Sequence, residues 1–315
     1  MHRIFCLLIC VTVAVACANG DAETPPPGDA PPALDRAFDA GVAWKHLEAQ
    51  VAIGPRFSGS EGAERTRKYL EIELRKSELD PVRETFKAQT PVGLVEFANV
   101  YADLVGTGGD AQPIFVIASH YDTKRLGDDF VGANDGGSST AVLLELASVM
   151  AKAPRRSVTY RFLFLDGEEA VNHQWRDPDN RYGSRHHVEQ IKKSDLRVRY
   201  KLCVLLDMVG DKLLKFTLDE NSDKDVIREF EKAARRGKLS KHLWARKMPV
   251  MDDHISFSDG LSIPVIDLID FEYGPNNSYW HTNADTLDKC SKESLEVTGR
   301  LVLLTLPALE ARFGK

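Results

Sequence analysis

Apolar runs of strand length alternate with helical patterns along most of this 315-residue chain. From about residue 95 onward, several of the runs are continuously apolar, which is typical of strands that are buried on both faces of a sheet. The predicted strands are residues 95–101, 114–119, 158–165, 202–208 and 263–269.

Apolar residues at helical spacing occupy the segments between these strands, and one such segment precedes the first strand. The predicted helices are residues 61–76, 138–152, 182–193, 222–236 and 291–312. This alternation predicts a single-domain, three-layer α/β/α fold with a mostly parallel central sheet. Because no repeat or internal linker divides the pattern, we expect one catalytic domain over residues 34–315.

The N-terminus has a pattern that is typical of export. The apolar run at residues 4–16 is too short to span a bilayer but suits a signal sequence. Small residues then precede Cys17 as in a bacterial lipoprotein signal, although Ala14 stands where leucine is preferred. We predict a lipoprotein anchored through Cys17 in the periplasm or at the outer membrane, or alternatively a secreted protein cleaved near Ala18 or Gly20.

A proline-rich tract follows the targeting segment and cannot form a core. We therefore predict a signal or lipoprotein-type segment at residues 1–17 and a linker at residues 18–33. Beyond them only Cys203 and Cys290 remain, so an exported domain of this kind has no disulfide framework.

The formal net charge is −6 and the sequence pI is about 5.9, with the two signs of charge well mixed. This balance argues against nucleic acid and against anionic lipid as a partner. We expect contact with a membrane only through the lipid anchor at Cys17, and we expect a monomer.

Acidic and imidazole side chains follow the carboxyl ends of several predicted strands or adjoin the helix starts beyond them. They are His120, Asp135, Glu168, Glu169, Asp207 and His281. Ligands of open α/β sheets bind beyond these strand ends, so we expect the side chains to meet at one edge, which carries almost no Lys or Arg. The adjacent carboxylates of Glu168 and Glu169 would repel each other at this edge. Proteins rarely keep such a pair unless a cation neutralises one carboxylate and the other transfers protons.

Each of these residues also has a structural explanation. The glutamate pair suits a solvated helix start, His281 suits an aromatic patch, His120 suits a buried histidine paired with Asp122, and the two aspartates suit a turn and a helix cap. Their coincidence at one edge favours a zinc site, because zinc accepts imidazole and carboxylate ligands. The candidate ligands are His120, Asp135, Glu169, Asp207 and His281.

At these residues the chain resembles the M28 family of zinc aminopeptidases, and most of all its branch of glutaminyl-peptide cyclotransferases. The shared motifs are His120-x-Asp122, Gly132-Ala133-Asn134-Asp135, Asp166-Gly167-Glu168-Glu169, Leu206-Asp207 and Trp280-His281-Thr282. The features of the branch are Glu168-Glu169-Ala170 with Trp175, Tyr182-Gly183-Ser184-Arg185-His186, Asp252-Asp253-His254 and Trp280. The resemblance implies the fold of the zinc aminopeptidases.

The resemblance also implies roles for individual residues. In a cyclase, Asp135, Glu169 and His281 would hold a single zinc ion. Glu168 would be the proton-transfer carboxylate, with the acidic group Asp207 and Asp252 behind it. The substrate pocket would be walled by Trp175 and Trp280. In the two-zinc peptidases, His120 and Asp207 would instead complete a second metal site.

Three functions therefore remain open. The first is a zinc-dependent glutaminyl-peptide cyclotransferase, an acyltransferase that converts N-terminal glutamine of peptides or proteins to pyroglutamate and releases ammonia. The second is an M28-type aminopeptidase, a hydrolase that removes N-terminal residues with two zinc ions. The third is an inactive metal-binding lipoprotein, against which the intact Glu168 counts.

The chain departs from the animal cyclases at a few positions. Ser119 and Thr140 stand where those enzymes have a cysteine pair, so the corresponding disulfide is absent. The spacing from Glu169 to Trp175 is one residue longer, and the segment 270–279 before Trp280 is longer as well, which affects the shape of the pocket.

Overall fold

The computed structural model of the protein describes residues 34–315. The targeting segment and linker predicted for residues 1–33, including Cys17, lie outside the described residues. The α-helices of the described part are α1 (Ala40–Ile53), α2 (Glu61–Lys76), α3 (Gly137–Lys152), α4 (Tyr182–Lys192), α5 (Lys224–Gly237), α6 (His254–Leu261) and α7 (Lys292–Phe313). Its strands are β1 (Val82–Thr90), β2 (Gly93–Leu104), β3 (Ile114–His120), β4 (Thr159–Leu165), β5 (Tyr200–Asp207), β6 (Leu218–Asp219), β7 (Lys247–Met248) and β8 (Val265–Ile269).

Six of the strands form one central sheet in the order β1-β2-β4-β3-β5-β8. Strands β4, β3, β5 and β8 run parallel to one another. Strand β2 pairs antiparallel with both β4 and β1 at the other end of the sheet. The prediction of a mostly parallel sheet is therefore confirmed.

Helices cover both faces of this sheet. Along β3, Phe115 and Ile117 face a large apolar core to which α1, α2, α3, α5 and α7 contribute. Val116 and Ala118 point to the opposite face, where they pack with residues of α4 and α6. Because successive side chains of a strand point to opposite faces, a strand covered on both sides must be apolar throughout. The three-layer α/β/α fold is confirmed.

The predicted elements agree with the structure to within a few residues at their ends, but β1, α1, α6 and the two-residue strands β6 and β7 were not predicted. Strand β1 mixes polar and apolar residues and is only partly buried at the edge of the sheet. Helix α1 carries apolar residues on several sides, so its sequence shows no single apolar face. Helix α6 has only eight residues and begins inside the Asp252-Asp253-His254 motif, whose residue types indicated chemistry rather than a helix.

Three small residues in or beside the sheet are buried. Cys203 lies within the apolar strand β5 and is fully buried. Ser119 and Thr140 are also buried, and their hydroxyl oxygens lie 3.2 Å apart, so a hydrogen bond joins these two positions. None of the helices between residues 34 and 315 is both long and apolar enough to cross a bilayer.

Candidate metal and catalytic site

The carboxyl ends of the parallel strands bring the predicted site residues together. Strand β3 ends at His120 and β5 ends at Asp207. Glu168 and Glu169 follow β4 after a short turn, and neither begins a helix. Only 8% of Glu168 and 5% of Glu169 is exposed, so the interpretation of this pair as a solvated helix start is wrong.

Asp135 lies in a glycine-rich turn directly before α3. Gly136 has a φ of +77°, and a Cβ there would lie 2.7 Å from the carbonyl oxygen of Asp122, so a side chain would not fit. The buried guanidinium of Arg56 donates to the carbonyl oxygen of Gly132 at 2.9 Å. These contacts fix the loop that presents Asp135 at the strand ends.

Asp135, Glu169 and His281 form a cluster that we call the outer triad. Each offers one ligand atom, and these atoms lie within 4.8 Å of one another. Nε2 of His281 lies 2.9 Å from Oε1 of Glu169 and 3.3 Å from Oδ2 of Asp135. The three residues predicted to hold a single zinc ion are therefore adjacent.

His120, Asp135 and Asp207 form a second cluster, the inner triad, which shares Asp135 with the first. Nε2 of His120 lies 3.0 Å from Oδ1 of Asp207 and 3.4 Å from Oδ1 of Asp135. Its Nδ1 lies 3.1 Å from the backbone carbonyl oxygen of Asp122. The two carboxylate oxygens of Asp135 thus face different histidines.

The outer triad fits a zinc ion. Oδ2 of Asp135 and Oε2 of Glu169 are buried, and neither accepts a hydrogen bond from the residues that the structure describes. A buried carboxylate oxygen without a donor is costly unless a cation takes that place. One imidazole and two carboxylates form a donor set that zinc accepts and that leaves a coordination position free for substrate.

Both histidines face carboxylates, and this changes their proton affinity. Burial by itself lowers the pKa of His281, but Glu169 and Asp135 raise it to about 10. Burial also opposes the charge on His120, but Asp207, Asp122 and Asp135 raise its pKa well above the usual value. Without a metal ion, both imidazoles are therefore held in the protonated form.

Glu168 lies beside the outer triad with its carboxylate in a different environment. Oε1 of Glu168 accepts a hydrogen bond of 2.8 Å from Nε1 of Trp175. Burial raises the pKa of Glu168 well above its usual value, and the charges of Glu169 and Asp252 raise it further. A carboxyl with raised proton affinity is suited to accepting and returning a proton.

Asp252 is buried near enough to Glu168 for its charge to raise the pKa of that carboxyl, and Asp207 is buried near Asp252. Burial raises the pKa of both carboxyls, and the charge of Asp207 raises that of Asp252 further. Since these groups influence one another, their protons belong to the set rather than to one residue.

A small cavity of about 190 Å³ opens onto these side chains. Its walls include Trp175, Trp280 and Phe271. The Trp280 ring stacks on His281 with a centroid distance of 4.1 Å and contacts Phe271 at 5.2 Å. Pockets for drug-sized ligands are about 300–1,000 Å³, so this one suits a single side chain.

Asp122 supports the site although it was not among the predicted site residues. Its carboxylate accepts hydrogen bonds of 3.2 Å from the backbone N–H groups of both Glu168 and Glu169. Asp285 has a similar role on the other side, where it accepts from the N–H groups of Asn134 at 2.7 Å and Asp135 at 3.1 Å. Asp122 belongs to one of the shared motifs and Asp285 follows another closely in the sequence, but residue type alone does not indicate which backbone groups a carboxylate reaches.

Lys124 is a further buried residue that the sequence did not indicate, because the site was expected to carry almost no Lys or Arg. Its Nζ donates to the carbonyl oxygen of Ala170 at 2.8 Å and lies 3.4 Å from Oε2 of Glu169. The lysine therefore places a positive charge beside the oxygen of Glu169 that makes no hydrogen bond.

Comparison with known proteins places this arrangement in a family. The model of peptidase family M28 matches residues 99–306. The glutaminyl-peptide cyclotransferase-like protein of Bos taurus is 35% identical over 266 residues, and the match covers 73% of this chain but 66% of that protein, just under two thirds of its length. The glutaminyl-peptide cyclotransferase of Bos taurus is 31% identical over 282 residues, which is 76% of this chain and 75% of that protein.

A solved structure has the same fold over a larger share of the chain. The glutaminyl cyclase of an Acidobacteriales bacterium superposes with a TM-score of 0.83 at 31% sequence identity, and covers 92% of this chain and 100% of its own. The sequence motifs, the fold and these matches agree. This chain belongs to peptidase family M28.

Proposed function

We propose that this protein is a zinc-dependent glutaminyl-peptide cyclotransferase that converts N-terminal glutamine of peptides or proteins to pyroglutamate. The observation that carries the proposal is the pair Glu168 and Glu169. Glu169 belongs to the outer triad, while Glu168 accepts a hydrogen bond from Trp175 at the wall of a cavity for one side chain. Relatives and a solved structure that are named for this activity support it.

The reaction joins the α-amine nitrogen of the substrate to the carbonyl carbon of its own side-chain amide, and the amide C–N bond breaks. Zinc held by Asp135, Glu169 and His281 would supply Lewis acidity toward that carbonyl oxygen. Glu168 accepts a proton from the attacking amine and returns it to the departing ammonia. Trp175 orients Glu168 through its N–H group, and Trp280 and Phe271 form an aromatic wall of the cavity.

Asp207 and Asp252 act behind Glu168 in this proposal. Their negative charge opposes the effect of zinc, which would otherwise lower the pKa of Glu168 and weaken it as a base. The substrate needs a free α-amine, so peptides that are blocked at the N-terminus should not react.

An M28-type aminopeptidase is the second candidate, and the inner triad favours it. His120, Asp135 and Asp207 lie close enough to hold a second metal ion, as expected for a two-zinc peptidase. In that reaction Glu168 would deprotonate a water molecule that attacks a backbone carbonyl.

Paired assays on one preparation separate the two candidates. Pyroglutamate formation and ammonia release are measured with a Gln-initiated peptide, and release of the first residue is measured with a Leu-initiated peptide. We expect cyclisation without residue release. Residue release without cyclisation would support the peptidase, and neither reaction by a zinc-loaded protein would support an inactive metal-binding protein.

We also propose export of the protein, with a lipid anchor at Cys17 as the expected form. The basis is the sequence alone, since these residues lie outside the described part of the chain. Mass analysis of the mature N-terminus tests the proposal. A protein that is cleaved near Ala18 or Gly20 and carries no lipid would indicate plain secretion.

A further inference from the structure

The segment between β8 and His281, which we call the pocket loop (residues 270–281), both forms the cavity wall and supplies a ligand of the outer triad. Phe271 and Trp280 from this loop line the cavity, and His281 ends it. His281 has a φ of +52°, a left-handed conformation that is unusual for a residue with a side chain. Contacts outside the residue itself must therefore fix the conformation of the loop.

Tyr273 fixes the base of the pocket loop. It is fully buried, and its backbone N–H donates to Oδ1 of Asn277 at 2.9 Å. Its carbonyl oxygen accepts a hydrogen bond of 3.2 Å from the N–H of Tyr279. The hydroxyl of Tyr273 leaves the loop altogether and donates to Oδ1 of Asp285 at 2.8 Å.

Asp285 connects this hydroxyl to the loop that carries Asp135. The same carboxylate accepts from the N–H of Asn134 at 2.7 Å and from the N–H of Asp135 at 3.1 Å. Only 1% of Asp285 is exposed, so water does not compensate for a lost donor. Hydrogen bonds to a buried carboxylate are among the stronger ones in proteins.

We propose that the Tyr273 hydroxyl is a positioning group that couples the pocket loop to the metal ligand Asp135 through Asp285. The inference rests on the proposed function, since it takes the outer triad as the zinc site. It adds that the aromatic wall and the ligand Asp135 are held in one geometry by a single buried carboxylate.

The test is the zinc affinity of Tyr273→Phe, measured on the metal-free protein by competition with a chelator. Removing the hydroxyl leaves the ring and its packing in place but frees Asp285 to shift. Loss of a partner of this kind lowers metal affinity by about 10–100-fold, and we expect the lower end, about tenfold, because two backbone donors to Asp285 remain.

Tyr279→Phe is the matched control. Tyr279 belongs to the same loop and contacts the Tyr273 ring edge-on at 5.4 Å, and its own hydroxyl makes no hydrogen bond with residues 34–315. The zinc affinity of Tyr279→Phe should stay within about twofold of that of the wild type. An unchanged affinity in Tyr273→Phe, or an equal loss in both variants, would overturn the proposal.

A double-mutant cycle with Asp285→Asn tests the route of the coupling. If Tyr273 acts through Asp285, removing its hydroxyl should change zinc affinity by less than about twofold once Asp285 is already replaced. A tenfold loss in that background too would mean that Tyr273 acts by packing. If Asp285→Asn does not fold, the comparison of the two tyrosine variants still decides the proposal.

Steady-state kinetics at saturating zinc give a second readout. Tyr273→Phe should raise KM more than it lowers kcat, because the loop forms the cavity wall and does not transfer protons. Failure of the proposed function is distinguishable from failure of this inference. A zinc effect without any cyclisation would contradict only the function, whereas cyclisation with an unchanged zinc affinity in Tyr273→Phe would contradict only the coupling.

Discussion

The outer and inner triads share Asp135 and consist of the same residue types, yet their surroundings differ. In the inner triad both ring nitrogens of His120 face an acceptor, on the Asp122 backbone and on Asp207, and the ring is 1% exposed. In the outer triad, two buried carboxylate oxygens make no hydrogen bond with any other described residue, and the cluster opens onto the cavity.

We infer from this difference that the outer triad is the better metal site. His120 lies between two acceptors, and its protonated ring already balances the charge of Asp207 without a metal ion. His281 is protonated as well when no metal is bound, but its triad keeps two carboxylate oxygens without a hydrogen bond and opens onto the cavity.

The largest effects are expected when each of the two adjacent glutamates is replaced, because we expect Glu168 and Glu169 to have different roles. Glu168→Gln should lower kcat by about 10²–10⁴-fold, the usual contribution of a positioned acid–base group, and should leave zinc bound. Glu169→Gln should instead lower the zinc content. Zinc analysis and kinetics on both variants check this, and loss of the metal in Glu168→Gln alone would reverse the two roles.

Trp280 forms part of the cavity wall. Its replacement tests whether the substrate binds in this cavity beside the outer triad. Trp280→Ala should cost about 2 kcal/mol of transition-state stabilisation, roughly a 30-fold fall in kcat/KM, because the substrate loses packing beside the metal. Trp244→Ala is the control, since Trp244 is half-buried outside the cavity. Equal losses in both variants would mean that Trp280 contributes only to stability.

Asp122 contacts His120 through its backbone carbonyl oxygen, and it contacts the N–H groups of Glu168 and Glu169 through its carboxylate. Replacing Asp122 tests whether this carboxylate supports the metal site. Asp122→Asn should weaken zinc binding about tenfold, because an amide oxygen replaces a carboxylate that accepts from two backbone N–H groups. Chelator competition measures this change, with the exposed Asp128 replaced by Asn as control. An unchanged zinc affinity would show that other contacts hold the segment that carries Glu168 and Glu169.

Proton release on zinc binding gives a further test of the two triads. At pH 7 the imidazole of His281, whose pKa Glu169 and Asp135 raise to about 10 despite burial, is protonated and must lose its proton to bind a metal. His120 should keep its proton. Calorimetry in buffers of different ionisation enthalpy measures the total number of protons released, to which the buried carboxyl of Glu168 also contributes. We expect the same number for the wild type and His120→Ala, and a fall of about one proton in His120→Ala would indicate that both triads bind zinc.

The fold was predictable because its parallel strands are apolar on both faces, as in β3, β4 and β5. Strand β1 was not predicted because an edge strand that is only partly buried tolerates polar residues at most positions. Short helices such as α6 offer too few residues for a periodic pattern.

The same limit applies to the site. The proximity of Asp135, Glu169 and His281 could be predicted because each belongs to a recognisable motif at the functional edge of the sheet. Tyr273 and Asp285 could not, because their contribution is one hydrogen bond between segments that meet only in the folded chain. Sequence motifs identify the residue types of a metal site, but not the contacts that hold them in place.

Zinc content of the wild type and of His120→Ala tests the central claim most directly. The account predicts one zinc ion per chain in both proteins, because the outer triad binds the metal and His120 only forms hydrogen bonds. Two zinc ions in the wild type that fall toward one in His120→Ala would contradict it and would support the two-zinc peptidase.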